Sequence, residues 1–266
     1  MKKRLIVAVV ILAGIFVLAC AFLYFIQEKL IFHPRKLAKT YKFDFENNFE
    51  ERYIPAADGT VLHGLLFKAD SSNGLIFYLH GNAGSAASWG SVAKTYTNLN
   101  YDVFIVDYRG YGKSEGAING EVQLAEDIQA AYDELKKQYA ENIIVVLGYS
   151  IGTGPASRLA STNSPKLLIL QAPYYNLTDM MQNLFPVVPT FILKYKFETN
   201  LHLRDCTMPV IIFHVDQDEV IPYSSSIKLK EEFKDKITLI PLRGQTHNGI
   251  TDNPEYKTEL KKILTP

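Results

Sequence analysis

Cysteine is scarce in this sequence of 266 residues, which holds only Cys20 and Cys206. They lie far apart, so a disulfide framework is excluded and the redox compartment is left open. No Cys and His residues fall at the spacing of a zinc site, and nothing calls for a metal or a cofactor. Charge of one sign is lacking too. The 28 Lys and Arg balance 28 Asp and Glu, which excludes the basic surface a nucleic acid would require. No segment repeats and none is of low complexity, so arrays and long linkers are excluded. Apolar residues, by contrast, make up 47% of the chain. That is enough to bury the core of one α/β domain and leave material for an appendage.

The appendage is at the N-terminus. Residues 1–4 form a basic head, and residues 5–26 then run without a charge. As a helix this stretch is about 33 Å long, enough to cross the hydrocarbon of a bilayer. A cleaved signal has a shorter apolar core. Leu18-Ala19-Cys20 resembles a lipoprotein cleavage box, but the apolar run continues past Cys20. The expectation is therefore an uncleaved single-pass anchor, with cleavage or lipidation at Cys20 as the alternatives. The basic head places the N-terminus in the cytoplasm and the rest outside it, although Lys29, Arg35, Lys36 and Lys39 leave the charge asymmetry small. Phe22, Tyr24, Phe25, Phe32 and Tyr41 are candidates for an interfacial aromatic belt. Residues 27–50 read as a membrane-proximal connector to a globular domain over 51–266.

In that domain, short apolar runs alternate with segments of helical spacing. Residues 51–55 and 61–68 flank an Ala-Asp-Gly-Thr turn and read as a hairpin. Residues 75–79, 103–106, 143–147, 167–170, 210–215 and 237–242 read as buried strands, separated by helices. This pattern predicts a mostly parallel sheet with helices on both faces. Residues 173–208 break the alternation with prolines and many apolar groups. They read as a small helical lid over the strand ends, where functional loops of such sheets gather.

The strand 143–147 runs into Gly148-Tyr149-Ser150-Ile151-Gly152 and then a helix. A serine on a sharp strand-to-helix turn holds its Oγ clear of the sheet, and glycines relieve the crowding there. Ser150 is thus the candidate nucleophile. The rival serines Ser85 and Ser114 lack this frame. A serine hydroxyl needs a base, and the base needs an orienting carboxylate. Of six histidines, His247 follows the last strand, where the base belongs if the order is Ser, acid, His. His80 and His214 read as loop braces. For the acid, Asp218 reaches beyond the end of strand 210–215 and precedes Val-x-Pro. Asp216 reads as a turn cap and Glu219 as a solvated charge. Asp107 and Arg109 read as braces of their own loop. The backbone N–H of Ile151 and that of Asn82, in His80-Gly81-Asn82-Ala83-Gly84, are the candidate oxyanion donors, with Ala83 as second choice for the latter.

HGNAG, DYRGYGKS, GYSIG, HVDQDEVIP and QTHNG follow one another in this order. Together they resemble the α/β-hydrolase superfamily, and the pairing of the first two with an N-terminal anchor resembles its membrane-anchored subgroup. The resemblance covers about residues 50–266. One departure is Val215, where many relatives have glycine after the histidine. The resemblance implies an α/β-hydrolase fold and assigns Ser150, Asp218 and His247 to a catalytic triad with Asn82 and Ile151 as oxyanion hole. It implies cleavage of esters or thioesters, and some relatives remove acyl chains from membrane proteins. The acyl-transfer cycle requires no cofactor, and an anchor near an apolar lid favours lipidic or acylated substrates. A serine peptidase of related fold and a non-catalytic, membrane-tethered interaction protein are the alternatives.

Overall fold

The structure is a computed structural model describing residues 2–265; Met1 of the basic head and Pro266 lie outside the described residues. It opens with one long helix, α1 (Lys2–Ile31), exposed along nearly all of its length and long and apolar enough to cross a membrane. The helix does not stop at residue 26. It continues into the expected connector, and Gln27 is buried. A two-residue strand β1 (His33–Pro34) follows.

The hairpin forms as β2 (Phe49–Pro55) and β3 (Val61–Phe67), paired antiparallel. Then come β4 (Leu75–Leu79), β5 (Ala83–Gly84), α2 (Ala86–Trp89), α3 (Ala93–Thr97), β6 (Asp102–Asp107) and α4 (Glu121–Lys136). Between α2 and α3 the helical stretch is broken by a 3-10 turn that begins at Gly90. A side chain there would strike the ring of Phe45. The chain continues through β7 (Ile144–Tyr149), α5 (Thr153–Ser161), β8 (Leu167–Gln171), α6 (Leu177–Leu184) and α7 (Thr199–Asp205). It ends with β9 (Val210–Val215), α8 (Ser224–Glu232), β10 (Ile237–Leu242) and α9 (Pro254–Leu264).

Eight strands form one sheet in the order β10-β9-β8-β7-β4-β6-β3-β2, parallel from β10 to β6 and antiparallel at the hairpin edge. The central strands are continuous apolar runs because both of their faces are covered. Along β4, Leu75, Phe77 and Leu79 pack toward α4, α5 and α8, while Ile76 and Tyr78 pack toward α2, α3 and α9. Each such side chain stabilises the fold by about 1.5–3 kcal/mol on burial. Truncating one, as in Phe77→Ala, costs about 3–5 kcal/mol.

The segment expected to be a lid divides in two. Residues 176–193, with α6 and a 3-10 turn at Thr190–Ile192, form a cap over the strand ends. Asn176 caps α6 by accepting the Asp179 N–H (2.7 Å). α7 is instead part of the helical layer: Leu203 is buried beside α5. Of the expected aromatic belt, Phe32 is not at any interface. It is buried against Tyr195 and Phe197, with ring centroids at 5.2 and 6.5 Å. Both cysteines are free.

Candidate active site

Ser150 follows the last residue of β7 and opens the 3-10 turn into α5. Its φ is +52°, a left-handed conformation that side chains rarely adopt. The crowding around it explains the flanking glycines. A Cβ on Gly148 would stand 2.5 Å from the carbonyl oxygen of Gly152, and a Cβ on Gly152 would strike that of Leu79. The turn is tied down by Thr153 Oγ1, which donates to Ser150 O (2.6 Å). Tyr174 adds a second tie: its hydroxyl donates to Ile151 O (3.0 Å) and accepts the Gly154 N–H (3.0 Å).

His247 lies in the 3-10 segment His247–Asp252 after β10 and is buried. Its Nε2 is 3.0 Å from Ser150 Oγ and its Nδ1 is 2.7 Å from Asp218 Oδ2. An ionised carboxylate only accepts, so Nδ1 carries the proton and Nε2 accepts from the serine hydroxyl. The ring is held from its own backbone. Tyr149 OH donates to His247 O, and the His247 N–H donates to Glu219 Oε2 (3.1 Å).

Asp218 is held from every side. Its Oδ1 accepts the N–H groups of Val220 (2.8 Å) and Ile221 (2.7 Å), and His214 Nε2 lies 3.2 Å from Oδ2. His214 Nε2 also faces Ile221 O (3.0 Å), so it must be the protonated nitrogen, and Nδ1 accepts from Ser226 Oγ (2.6 Å). Burial works to raise the Asp218 carboxyl. The bonds from His214, His247 and the Ile221 N–H outweigh it and hold the group well below the usual carboxylate range. Asp218 is therefore a permanent anion facing His247.

Asn82 and Ile151 both line the same cavity as Ser150. Ile151 is in the first turn of a helical segment, where N–H groups have no partner within the turn. The Asn82 peptide is fixed by its carbonyl, which accepts from the His33 N–H (2.9 Å) and Tyr111 OH (2.6 Å).

Ser150, His247, Asn82 and Ile151 share the wall of a cavity of about 540 Å³. Apart from Asn248 the rest of the lining is mostly apolar or aromatic, and the cap contributes Leu177, Met180, Met181, Leu184, Phe185 and Leu193. None of the described lining residues is Asp, Glu, Lys or Arg. Among the described residues no group of His, Cys, Asp and Glu is arranged to hold a metal.

The other candidates fall elsewhere. Buried His80 donates through Nδ1 to Gly81 O (2.7 Å) and packs on Tyr108. Burial lowers its pKa, so it braces the loop as a neutral ring. Asp107 and Arg109 are braces as read: Asp107 accepts the Ala86 N–H (2.7 Å), and Arg109 bridges Asp127 and Asp58. Asp216 is exposed. Glu219 is exposed too, but it is more than a solvated charge, since it holds the His247 backbone. Sequence reasoning missed that contact, and it missed Tyr149, Tyr174 and Tyr111. Tyrosine carries no local signal for a hydroxyl that bonds a backbone group far along the chain.

The sheet order, the strained serine turn and the cap define an α/β-hydrolase fold. Comparison with known proteins agrees. The Hydrolase_4 family, described as serine aminopeptidase, S33, matches residues 70–204, just over half of the chain, and the chain belongs to that family. Ser150, Ile151 and Asn82 lie within the matched range, while Asp218 and His247 lie beyond it. Lysophosphatidylserine lipase ABHD12 of Macaca fascicularis is 29% identical over 225 residues, covering 73% of this chain and 56% of the relative. The chain thus spans little more than half the length of that relative. Alpha/beta hydrolase domain-containing protein 17B of Xenopus tropicalis is 31% identical over 196 residues, covering 71% of this chain and 66% of the relative. Among solved structures, the Pyrococcus furiosus esterase Pf2001 superposes with a TM-score of 0.67 at 19% identity, over 87% of this chain and 98% of the esterase, a likeness of fold.

Proposed function

We propose that this chain is a membrane-anchored serine hydrolase that cleaves carboxylic esters or thioesters carrying an apolar acyl chain, through an acyl-enzyme on Ser150. The observation that carries the reading is the unbroken path Asp218–His247–Ser150 at the wall of an apolar cavity. His247 takes the Ser150 proton as Oγ attacks the carbonyl carbon. The N–H groups of Asn82 and Ile151 stabilise the oxyanion of the tetrahedral intermediate. Asp218, a fixed anion, stabilises the imidazolium and keeps Nδ1 protonated. His247 then protonates the leaving alkoxide or thiolate. Water, deprotonated by His247, releases the acid and restores the serine.

The family description raises the serine peptidase as a rival. An aminopeptidase must hold a free α-ammonium, and the described cavity lining offers no carboxylate to pair with it. An apolar chain needs no such partner. Beside the cavity the cap exposes Phe185, Val187 and Phe191, which suits a substrate met at a lipid surface, a fatty acyl ester or an acylated protein. The names of the lipase and esterase relatives point the same way. The basic head Lys2-Lys3-Arg4 favours a catalytic domain on the non-cytoplasmic side.

The test is labelling of detergent-solubilised protein with a fluorophosphonate, beside Ser150→Ala and His247→Ala. Labelling of the parent that disappears in Ser150→Ala and weakens strongly in His247→Ala is expected, with turnover of esters or thioesters in a chain-length series. Folded parent protein that neither labels nor turns over any of them would leave the non-catalytic reading in its place.

A further inference from the structure

The end of the membrane helix is built into the domain. Gln27 donates through Nε2 to Ile192 O (2.8 Å), and its Oε1 accepts the Lys194 N–H (2.9 Å), so one side chain satisfies two backbone groups of the cap. Glu28 pairs with Lys194 Nζ (3.1 Å) and accepts from Tyr195 OH (3.3 Å). The next turn supplies Leu30 and Ile31 to the lining of the cavity that holds Ser150. Immediately beyond, β1 pairs in parallel with β5, and the His33 N–H donates to Asn82 O. A simple tether would need none of these contacts.

We propose that Leu30 and Ile31 are specificity-determining residues. The last turn of the membrane helix is the wall that sets how long an acyl chain the cavity accepts, and Gln27 and Glu28 lock that wall to the cap. The proposal rests on the hydrolase reading above and adds where the acyl chain ends. Leu30 is the informative position. It lines the cavity while 54% of its surface remains exposed, so it separates the cavity from the outer side of the helix. Enlarging it shortens the space, and trimming it opens the space along the helix. Each methylene buried in an apolar site is worth about fourfold in affinity, so a wall displaced by two methylenes alters selectivity by about fifteenfold.

The experiment uses full-length protein in detergent micelles and p-nitrophenyl esters from butyrate to palmitate. For Leu30→Trp the ratio of kcat/KM on long chains to that on butyrate should fall about tenfold or more. Leu30→Ala should move the optimum to longer chains. Gln27→Ala, which frees the wall from the cap, should flatten the profile. Leu18→Trp lies on the exposed apolar part of the same helix and should leave the profile as in the parent. Thermal melting confirms that each variant is folded. Profiles of folded Leu30→Trp and Leu30→Ala that superimpose on that of an active parent would overturn this inference alone. A folded parent that neither labels with fluorophosphonate nor turns over any ester would overturn the hydrolase reading, and this inference with it.

Discussion

Two buried aspartates among the described residues, Asp218 and Asp107, each face a histidine that has a serine beside it, and of these two sites only that of Asp218 adjoins a cavity. In the first, His247 reaches from Asp218 to the hydroxyl of Ser150. In the second, His63 on β3 has Nδ1 at 3.0 Å from Asp107 and Nε2 at 3.2 Å from Glu51, and its ring stacks on Phe43. Ser114 is adjacent, but its Oγ donates to Asp107 O (2.7 Å) and accepts the His63 N–H (2.7 Å). The same three residue types therefore meet at both aspartates. In one place the second ring nitrogen faces a free hydroxyl on a strained turn. In the other both nitrogens face carboxylates, and the hydroxyl is committed to the backbone. Residue type alone does not separate a base from a brace. What the second nitrogen meets, and whether space for a substrate adjoins it, does.

The sharpest way to break this comparison is to remove each ring in turn. His247→Ala should lower kcat by about 10⁴-fold or more, because the serine loses its base, with a melting temperature close to that of the parent. His63→Ala should do the reverse. It leaves the buried Asp107 carboxylate short of a partner, a loss of about 3 kcal/mol. For a domain of this size that lowers Tm by about 6–12 °C, while activity per folded molecule is retained. Steady-state kinetics on samples whose folded fraction is known from calorimetry separates the two effects. A His63→Ala protein that is folded but inactive would mean that the second pair takes part in the chemistry.

Much of the first pair was legible in the sequence, and little of the second was. Gly148-x-Ser150-x-Gly152 declares itself because a strained turn restricts which residues can occupy it. Asp218 and His247 follow from where strands end. The central strands β4, β6, β7, β8 and β9 were readable because burial on both faces demands an uninterrupted apolar run. Three kinds of feature were not. The pair β1 and β5 is two residues long, too short to carry any periodicity. Gln27 and Glu28 look like the polar end of a membrane span, and only the folded chain brings Ile192 and Lys194 to them, more than 160 positions away. Braces such as Tyr149 and Tyr174 act through hydrogen bonds to backbone groups 20 or more positions away. The lid was placed at 173–208, yet α7 belongs to the main layer, because an amphipathic helix reads alike in a cap or in a layer.

A smaller effect tests the support beneath the acid. His214→Phe keeps an aromatic ring of similar volume and removes one of the donors that hold the Asp218 carboxyl down. The carboxyl then moves back up toward its ordinary range but stays ionised at neutral pH, so the loss falls on the orientation of His247. At neutral pH kcat/KM should fall about tenfold, equivalent to ~1.4 kcal/mol of transition-state stabilisation. The matching change at the brace, Glu51→Gln, should leave kcat/KM per folded molecule as in the parent. A purely structural His214 would lower Tm and leave kcat/KM per folded molecule unchanged, and that outcome would remove it from the positioning of Asp218.

The smallest change in stability is expected at Ser150, and its sign is opposite to that at Ser114. Ser150 sits at φ +52°, a conformation costing a non-glycine residue about 1–2 kcal/mol. Glycine adopts it freely, though it gives part of that gain back through its more disordered unfolded chain. Ser150→Gly should therefore abolish activity while raising stability by about 0.5–1 kcal/mol, read as a higher denaturation midpoint with unchanged slope. Ser114→Ala should lower stability by about 1–3 kcal/mol, because the buried His63 N–H loses its acceptor, with activity per folded molecule retained. A stability gain at the serine turn would mean that this strain is held for reactivity and not for folding. If Ser150→Gly instead destabilises, the hydrogen bond to His247 outweighs the strain, and the turn is as much a brace as the pair beneath β3.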